Sequence, residues 1–352
     1  MLLTNANING TLKNISIQNG KISDITQTTQ DEGIDLHGCS VFPGLIDIHT
    51  HGAIGFNVMD GQFNEISLYL AKNGITSWLP TTITMDINSI KRVTDSDINV
   101  DGAKILGFHL EGPYISLKYK GAMNEKYIKN PDILEFNKIK NVKMVTIAPE
   151  LDGSLDFIKK SKVIVSLGHT DCDYDNAIEA INAGAKCLTH TFNAMPPLLH
   201  RAPSLIGAAV EKNLYAQIIC DGVHVHKAAI IAAYKMFGCD RMILISDSMQ
   251  AAGMSDDVYE FGGKIVTVTN GIAKLQDGTI SGSTSNLLQC VRKAVEFGIP
   301  LIDAIKMATQ TPAKLLGLNK GILEKGYDAD LIIVDDDLNI VHTIINGKII
   351  KF

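Results

Sequence analysis

Two histidines one residue apart, His49 and His51, close an apolar run in PGLIDIHTHG, residues 43–52. In an extended strand, side chains two apart share a face, so both imidazoles can approach one ion. Gly44 and Gly52 bracket the pair without bulk, and Thr50 between them is expected to point toward the surrounding layer. Other polar residues stand at the ends of apolar runs: Glu111 in KILGFHLEG, His169 in KVIVSLGH, His190 in AKCLTHTF, His224 just after LYAQIICDG, and Asp247 in RMILISD. A lone histidine is more often a satisfied core or surface residue than a ligand. Histidines and two carboxylates gathered on one rim form a nitrogen and oxygen donor set that suits a borderline divalent cation such as zinc, iron, cobalt or manganese.

Such a rim needs elements to build it. The middle of the chain shows eight short apolar runs, each followed by a segment of helical pattern: GLIDIH, ITSWLPTT, KILGFHLEG, VKMVTIAPE, KVIVSLGH, AKCLTHTF, LYAQIICDG and RMILISD. Strands apolar on both faces that alternate with helices imply a parallel sheet. Eight repeats predict an α/β fold of the (β/α)8 TIM-barrel type over residues 42–319, whose chemistry belongs at the C-terminal ends of the strands. No glycine-rich dinucleotide fingerprint follows the first strand, which counts against a doubly wound open sheet. The two ends of the chain have another texture. TLKNISIQNGKISDI alternates apolar and polar positions around Asn19-Gly20, and IVHTIINGKIIKF does so around Asn346-Gly347; both dipeptides fit two-residue hairpin turns. Residues 1–41 and 320–352 are therefore expected to form one small β-sandwich domain.

Bulk properties narrow the function classes. The 352 residues are 45% hydrophobic and 20% charged, with a net charge of −6, a globular composition. No basic block is present to neutralise a phosphate backbone, so nucleic acid is not an expected partner. The apolar stretches, such as AAIIAAY at 228–234, fall far short of the roughly 20 residues of a membrane span. The start MLLTNANING lacks the cationic and apolar regions of a secretory signal, so a cytoplasmic location is expected. Six cysteines are scattered with no C-x-x-C pair and are expected to be reduced and mostly buried.

Six segments, PGLIDIHTHG, GFHLEGPYIS, SLGHTDCDY, LTHTFNAMPPLLHR, CDGVHVH and LISDSMQAAG, resemble the signature blocks of the N-acetylglucosamine-6-phosphate deacetylase family in the amidohydrolase superfamily. HLEGP and THTFNAMPP are the specific parts; D-x-H-x-H alone would identify only the superfamily. The resemblance runs from about Val41 through GILEKGYDADLIIVD near the end. It implies metal-dependent hydrolysis of the acetamide of N-acetylglucosamine 6-phosphate, in amino-sugar catabolism and cell-wall recycling. By the same resemblance Glu111, His169 and His190 are the principal metal ligands, and Asp247 is the catalytic acid/base as well as a ligand. His49 and His51 match family members whose first strand keeps two histidines, so one or two ions per subunit are expected, with Glu111 as the bridge where two are held. His224 is implied to orient the substrate and stabilise its carbonyl oxygen. Phosphate recognition is implied for Asn193, Ala194 and the planar cationic fork of Arg201, assisted by His200. A homodimer is expected from the resemblance, with Arg201 serving either its own pocket or that of the neighbouring subunit. Ala122 and the backbone near Ile280, Ser281 and Gly282 are implied to contact substrate. The family often has histidine after KGA; this chain has Met123, and a change in affinity or substrate preference is expected. Two other readings are an amidohydrolase acting on a different N-acyl or cyclic amide, and a non-catalytic assembly protein that has kept the scaffold.

Overall fold

A computed structural model describes residues 1–27 and 32–351. Residues 28–31 and 352, which belong to the expected terminal domain, lie outside the described residues. All eight apolar runs contain strands: Leu45–Thr50, Ile75–Thr82, Phe108–Glu111, Val142–Ile147, Ile164–Leu167, Cys187–Leu188, Tyr215–Ile219 and Met242–Ile245. We number these as barrel strands one to eight. Each pairs in parallel with the next. The ring is completed just past strand eight, where Thr50 and Ser248 bridge in parallel and Asp247 N donates to His49 O at 2.9 Å.

Burial explains the absence of alternation in these runs. Every residue of Ile75–Thr82 is buried, because one face meets the barrel interior and the other meets the helices. The helices show the complementary pattern. Leu287–Glu296 buries Leu287, Leu288, Cys290, Val291 and Ala294 on one stripe, the three-and-four spacing of a helix lying on a sheet. Its first turn is closed by a capping box, with Asn286 and Gln289 each accepting from the other's backbone N–H.

The chain ends also behave as their alternation predicts. Leu2–Ile8, Thr11–Gln18, Lys21–Gln27, Ile34–Asp35 and Ser40–Pro43 join Leu331–Val334, Ile340–Ile345 and Lys348–Ile349 in one hydrogen-bonded sheet. Ser40–Pro43 pairs antiparallel with Leu331–Val334, so the two termini are stitched together. The sheet encloses its own small core of residues that include Leu3, Ile15, Ile22, Val41, Leu331 and Ile344. Both Asn-Gly dipeptides turn as expected, with φ of 52° and 75° at Asn19 and Gly20 and 52° and 72° at Asn346 and Gly347. These turns touch each other: a Cβ on Gly20 would lie 2.3 Å from Asn346 Oδ1.

One element departs from the eight-run pattern. After strand eight, Val258–Phe261, Lys264–Thr269 and Ile272–Leu275 form a separate three-stranded antiparallel sheet. Its buried Phe261, Val266 and Val268 pack with Ile83, Ile115 and Met123 beside the barrel mouth. The signal was present in the alternation of KIVTVTNGIAKL around Asn270-Gly271. Four of the cysteines, Cys172, Cys187, Cys220 and Cys290, are buried, and all six are free thiols.

Candidate active site

Backbone geometry delivers the site residues to one rim. His49 and His51 leave the end of strand one on the same face, and the flanking glycines are required by close approach. A Cβ on Gly44 would lie 2.2 Å from Thr76 atoms, and one on Gly52 would lie 2.3 Å from Phe56 O. Thr50, expected to point toward the surrounding helices, has its hydroxyl 3.2 Å from that of Ser246 beside strand eight. Glu111 is the last residue of strand three. His169, His190 and Asp247 each stand two residues past their strands, with φ of 47°, 29° and 47°. That left-handed conformation is costly for a residue with a side chain. Here it turns the chain sharply at three places around one opening.

His224 is expected at the end of strand seven. The structure places it in the following loop, beyond Ile219. Asp221 holds that loop: its Oδ1 accepts from Val223 N at 2.8 Å and His224 N at 2.9 Å, while Oδ2 lies 2.7 Å from His224 Nδ1.

Six side chains converge. His49, His51 and Asp247 form one cluster of donors, and Glu111, His169 and His190 form a second. Glu111 joins them. Its Oε1 lies 3.0 Å from His190 Nε2, 3.2 Å from His169 Nε2 and 3.3 Å from His49 Nε2; its Oε2 lies 3.1 Å from His51 Nε2. Asp247 Oδ1 is 3.2 Å from His51 Nε2 and 3.4 Å from His49 Nε2. Within each cluster two imidazole nitrogens face one another, His49 to His51 at 3.2 Å and His169 to His190 at 3.0 Å. Two neutral ring nitrogens that both present lone pairs repel at such a distance unless a proton or a cation lies between them. The donor set is also right for a divalent ion of the zinc, iron, cobalt or manganese type, with Glu111 positioned to serve two.

The ring nitrogens turned away from the centre are mostly pinned. His51 Nδ1 lies 3.0 Å from Thr81 O, His169 Nδ1 2.8 Å from Tyr119 O, and His49 Nδ1 3.0 Å from Gln217 Oε1. Each contact keeps a proton on Nδ1 and turns Nε2 inward, the arrangement that prepares an imidazole for a metal. His190 Nδ1 is buried without a partner among the described residues.

Charge follows the same geometry. Burial opposes the charged forms, but the neighbours outweigh it at most of these groups. Burial lowers His51, yet Asp247 and Glu111 carry its pKa up to about 10. His49 is likewise raised, by Glu111 and Asp247 against burial. Burial raises Asp247, but His49 and His51 take it down to about 2. Glu111 is driven well below the usual carboxylate range by His49 and His169. His190 is lowered by burial. His224 is raised, because Asp221 outweighs burial there.

A cavity of about 360 Å³ opens above these residues. Ala122, Asn193, Ala194, His224, Ile280 and Gly282 line it, as the resemblance implies. Ser281 does not line it and is buried between two residues that do. Met123 also faces the cavity, with its sulfur 3.4 Å from Thr84 N and its carbonyl accepting from Lys264 Nζ at 3.1 Å. Arg201 is not brought to this cavity. It is exposed on a separate groove with Asp171, Asp173 and Tyr174, and His200 beside it is exposed too. Phe261 and Tyr119 line the cavity and were not foreseen, nor were Gln217 and Asp221 behind it.

The amidohydrolase family profile matches residues 40–350. An N-acetylglucosamine-6-phosphate deacetylase of Bacillus subtilis (strain 168) is 37% identical, covering 97% of this chain and 94% of that protein. An N-acetylgalactosamine-6-phosphate deacetylase of Escherichia coli O157:H7 is 34% identical, covering 88% of this chain and 87% of that protein. Among solved structures, a Mycobacterium smegmatis N-acetyl-D-glucosamine-6-phosphate deacetylase mutant in complex with N-acetyl-D-glucosamine-6-phosphate superposes with a TM-score of 0.92 at 32% identity, covering 100% of this chain and 99% of that one. Matches of that extent, in sequence and in fold, place the barrel and its histidine-carboxylate rim in known company: the chain belongs to the amidohydrolase family.

Proposed function

We propose that this protein hydrolyses the acetamide of N-acetylglucosamine 6-phosphate, releasing acetate and glucosamine 6-phosphate. The observation that carries this reading is the single carboxylate of Glu111 lying within 3.3 Å of four inward-facing imidazole nitrogens, with Asp247 at the floor of the same cavity. Glu111, His169 and His190 would hold one cation, and His49, His51 and Asp247 a second. A divalent ion bound there lowers the pKa of water toward about 7 and polarises a carbonyl oxygen. The chain's own residues do the rest. Asp247 is ionised at neutral pH, so it can accept the proton of the attacking water. It then returns that proton to the amide nitrogen, which would otherwise depart as an unstable anion. His224, whose Nδ1 is held by Asp221 and whose pKa that carboxylate raises against burial, lines the cavity and can donate to an oxygen on which charge develops. Ala122, Asn193, Ala194 and the turn at Ile280–Gly282 shape the walls that orient the sugar and its phosphate.

Arg201 fits this scheme as a phosphate ligand for a second copy of the chain. It stands exposed beside Leu198 and Leu199, which are 41% and 53% exposed, on a loop continuous with Asn193 and Ala194. A homodimer in the cytoplasm completes the reading.

The galactosamine relative gives specific support to a second reading, in which the sugar is the C4 epimer. Acetate release by metal-loaded protein from N-acetylglucosamine 6-phosphate, N-acetylgalactosamine 6-phosphate and unphosphorylated N-acetylglucosamine separates the cases. The first should be hydrolysed fastest. Equal rates with and without phosphate would contradict the phosphate pocket, and preference for the epimer would replace the substrate.

A further inference from the structure

His49 differs from the other imidazoles in how its outer nitrogen is held. The Nδ1 atoms of His51 and His169 rest on main-chain carbonyls, of Thr81 and Tyr119. Among the four histidines of the two donor clusters, only His49 has its Nδ1 on a side chain: Gln217 Oε1 lies 3.0 Å away. Gln217 comes from strand seven, is fully buried, and reaches across the barrel interior to strand one.

An amide can be turned either way, and the two orientations have opposite consequences. With the oxygen toward His49, Nδ1 carries the proton and Nε2 is left to bind a cation. With the NH2 toward His49, the proton is driven to Nε2 and the donor is lost. The second contact of Gln217 decides between them. Its other terminal atom lies 3.3 Å from Met144 Sδ, and a thioether sulfur has no hydrogen to give. The NH2 must therefore face the sulfur and the oxygen must face His49. Met144, buried on strand four, thus fixes Gln217, and Gln217 fixes His49.

We infer that Gln217 is a positioning residue for the cation position formed by His49, His51 and Asp247: it selects the tautomer and ring orientation of His49 and so governs whether that position fills. The inference rests on the two-cation arrangement proposed above. It also distinguishes the two positions, because among the described residues the Gln217 side chain makes no hydrogen bond to Glu111, His169 or His190.

The chemistry predicts an unusual order of substitutions. Gln217→Glu keeps an acceptor at His49, adds an acidic group there and loses a weak contact to sulfur. Gln217→Leu is close in volume and apolar but leaves Nδ1 without a partner. If Gln217 merely filled the barrel, leucine would be tolerated and a buried glutamate would not.

The test is metal uptake by the full-length protein, stripped with a chelator and titrated with Co2+, with bound metal counted by elemental analysis and followed by its visible absorption. Wild type and Gln217→Glu should each bind two ions per chain. Gln217→Leu should keep one ion and bind the second about 10- to 100-fold more weakly, the range expected for loss of a partner behind a ligating histidine. Two ions at unchanged affinity in Gln217→Leu would overturn the inference, as would loss of the second ion in Gln217→Glu alone. A single ion in wild type would also overturn it, while leaving intact a deacetylase that works with one. Conversely, two ions and no acetate release would defeat the proposed function and leave the role of Gln217 standing.

Discussion

At the residue scale, Asp247 is the group on which the proposed proton transfers depend. Asp247→Asn should leave the Glu111, His169 and His190 position able to take a cation and lower kcat by about 10²-fold or more. Steady-state kinetics on metal-loaded protein checks this, and normal turnover would show that another group carries the proton. His51 makes a second prediction. With its pKa up to about 10, it is protonated at neutral pH in the absence of metal, and an entering cation must displace that proton. Cation uptake should therefore release about one proton or more, and affinity should fall as pH falls. Calorimetry at pH 7 in two buffers of different ionisation enthalpy measures the release; identical heats in both would contradict it. Strand-end chemistry of this kind was legible in the sequence, because a polar residue closing an apolar run stands out. The partners behind it were not. Gln217 lies 168 positions from His49, and no local pattern encodes a contact made across a closed barrel. The left-handed conformations of His169, His190 and Asp247 were equally hidden, since no glycine marks them.

At the scale of elements, the eight barrel strands were readable for a physical reason: parallel strands are buried on both faces, so they appear as unbroken apolar runs. The hairpins at the chain ends were readable because Asn-Gly tolerates positive φ at both turn positions. The three-stranded sheet at Val258–Leu275 escaped, since it interrupts the strand-helix rhythm after the eighth repeat. It matters to the site, because Phe261 faces the cavity 5.5 Å from the His51 ring and Lys264 holds the Met123 carbonyl. The helix that follows it offers a test of local energetics away from the chemistry. Asn286→Ala removes a side chain that accepts from Gln289 N at 3.0 Å. Chemical denaturation should show a loss of about 1 kcal/mol, with metal content unchanged. A loss near zero would mean that the cap does not hold this helix.

At the scale of the whole molecule, barrel and terminal sheet divide the work. The barrel mouth gathers the donors, and the ends of the chain, paired through Ser40–Pro43 and Leu331–Val334, tie strand one to the far end of the sequence. What a single chain does not bring to its own cavity is Arg201. If a second copy receives it, Arg201→Ala should raise KM for the phosphorylated sugar with a modest effect on kcat, because a contact equal in ground and transition states acts on binding alone. An unchanged KM would remove Arg201 from phosphate recognition. Beneath all of this lies the claim that acids and imidazoles far apart in the chain share cations at the barrel mouth. Anomalous diffraction from crystals of the protein loaded with Co2+ examines that claim directly. The account predicts a strong peak within bonding distance of Glu111, His169 and His190, with a second between His49, His51 and Asp247. Crystals of protein that releases acetate but shows no peak at Glu111, His169 and His190 would contradict it.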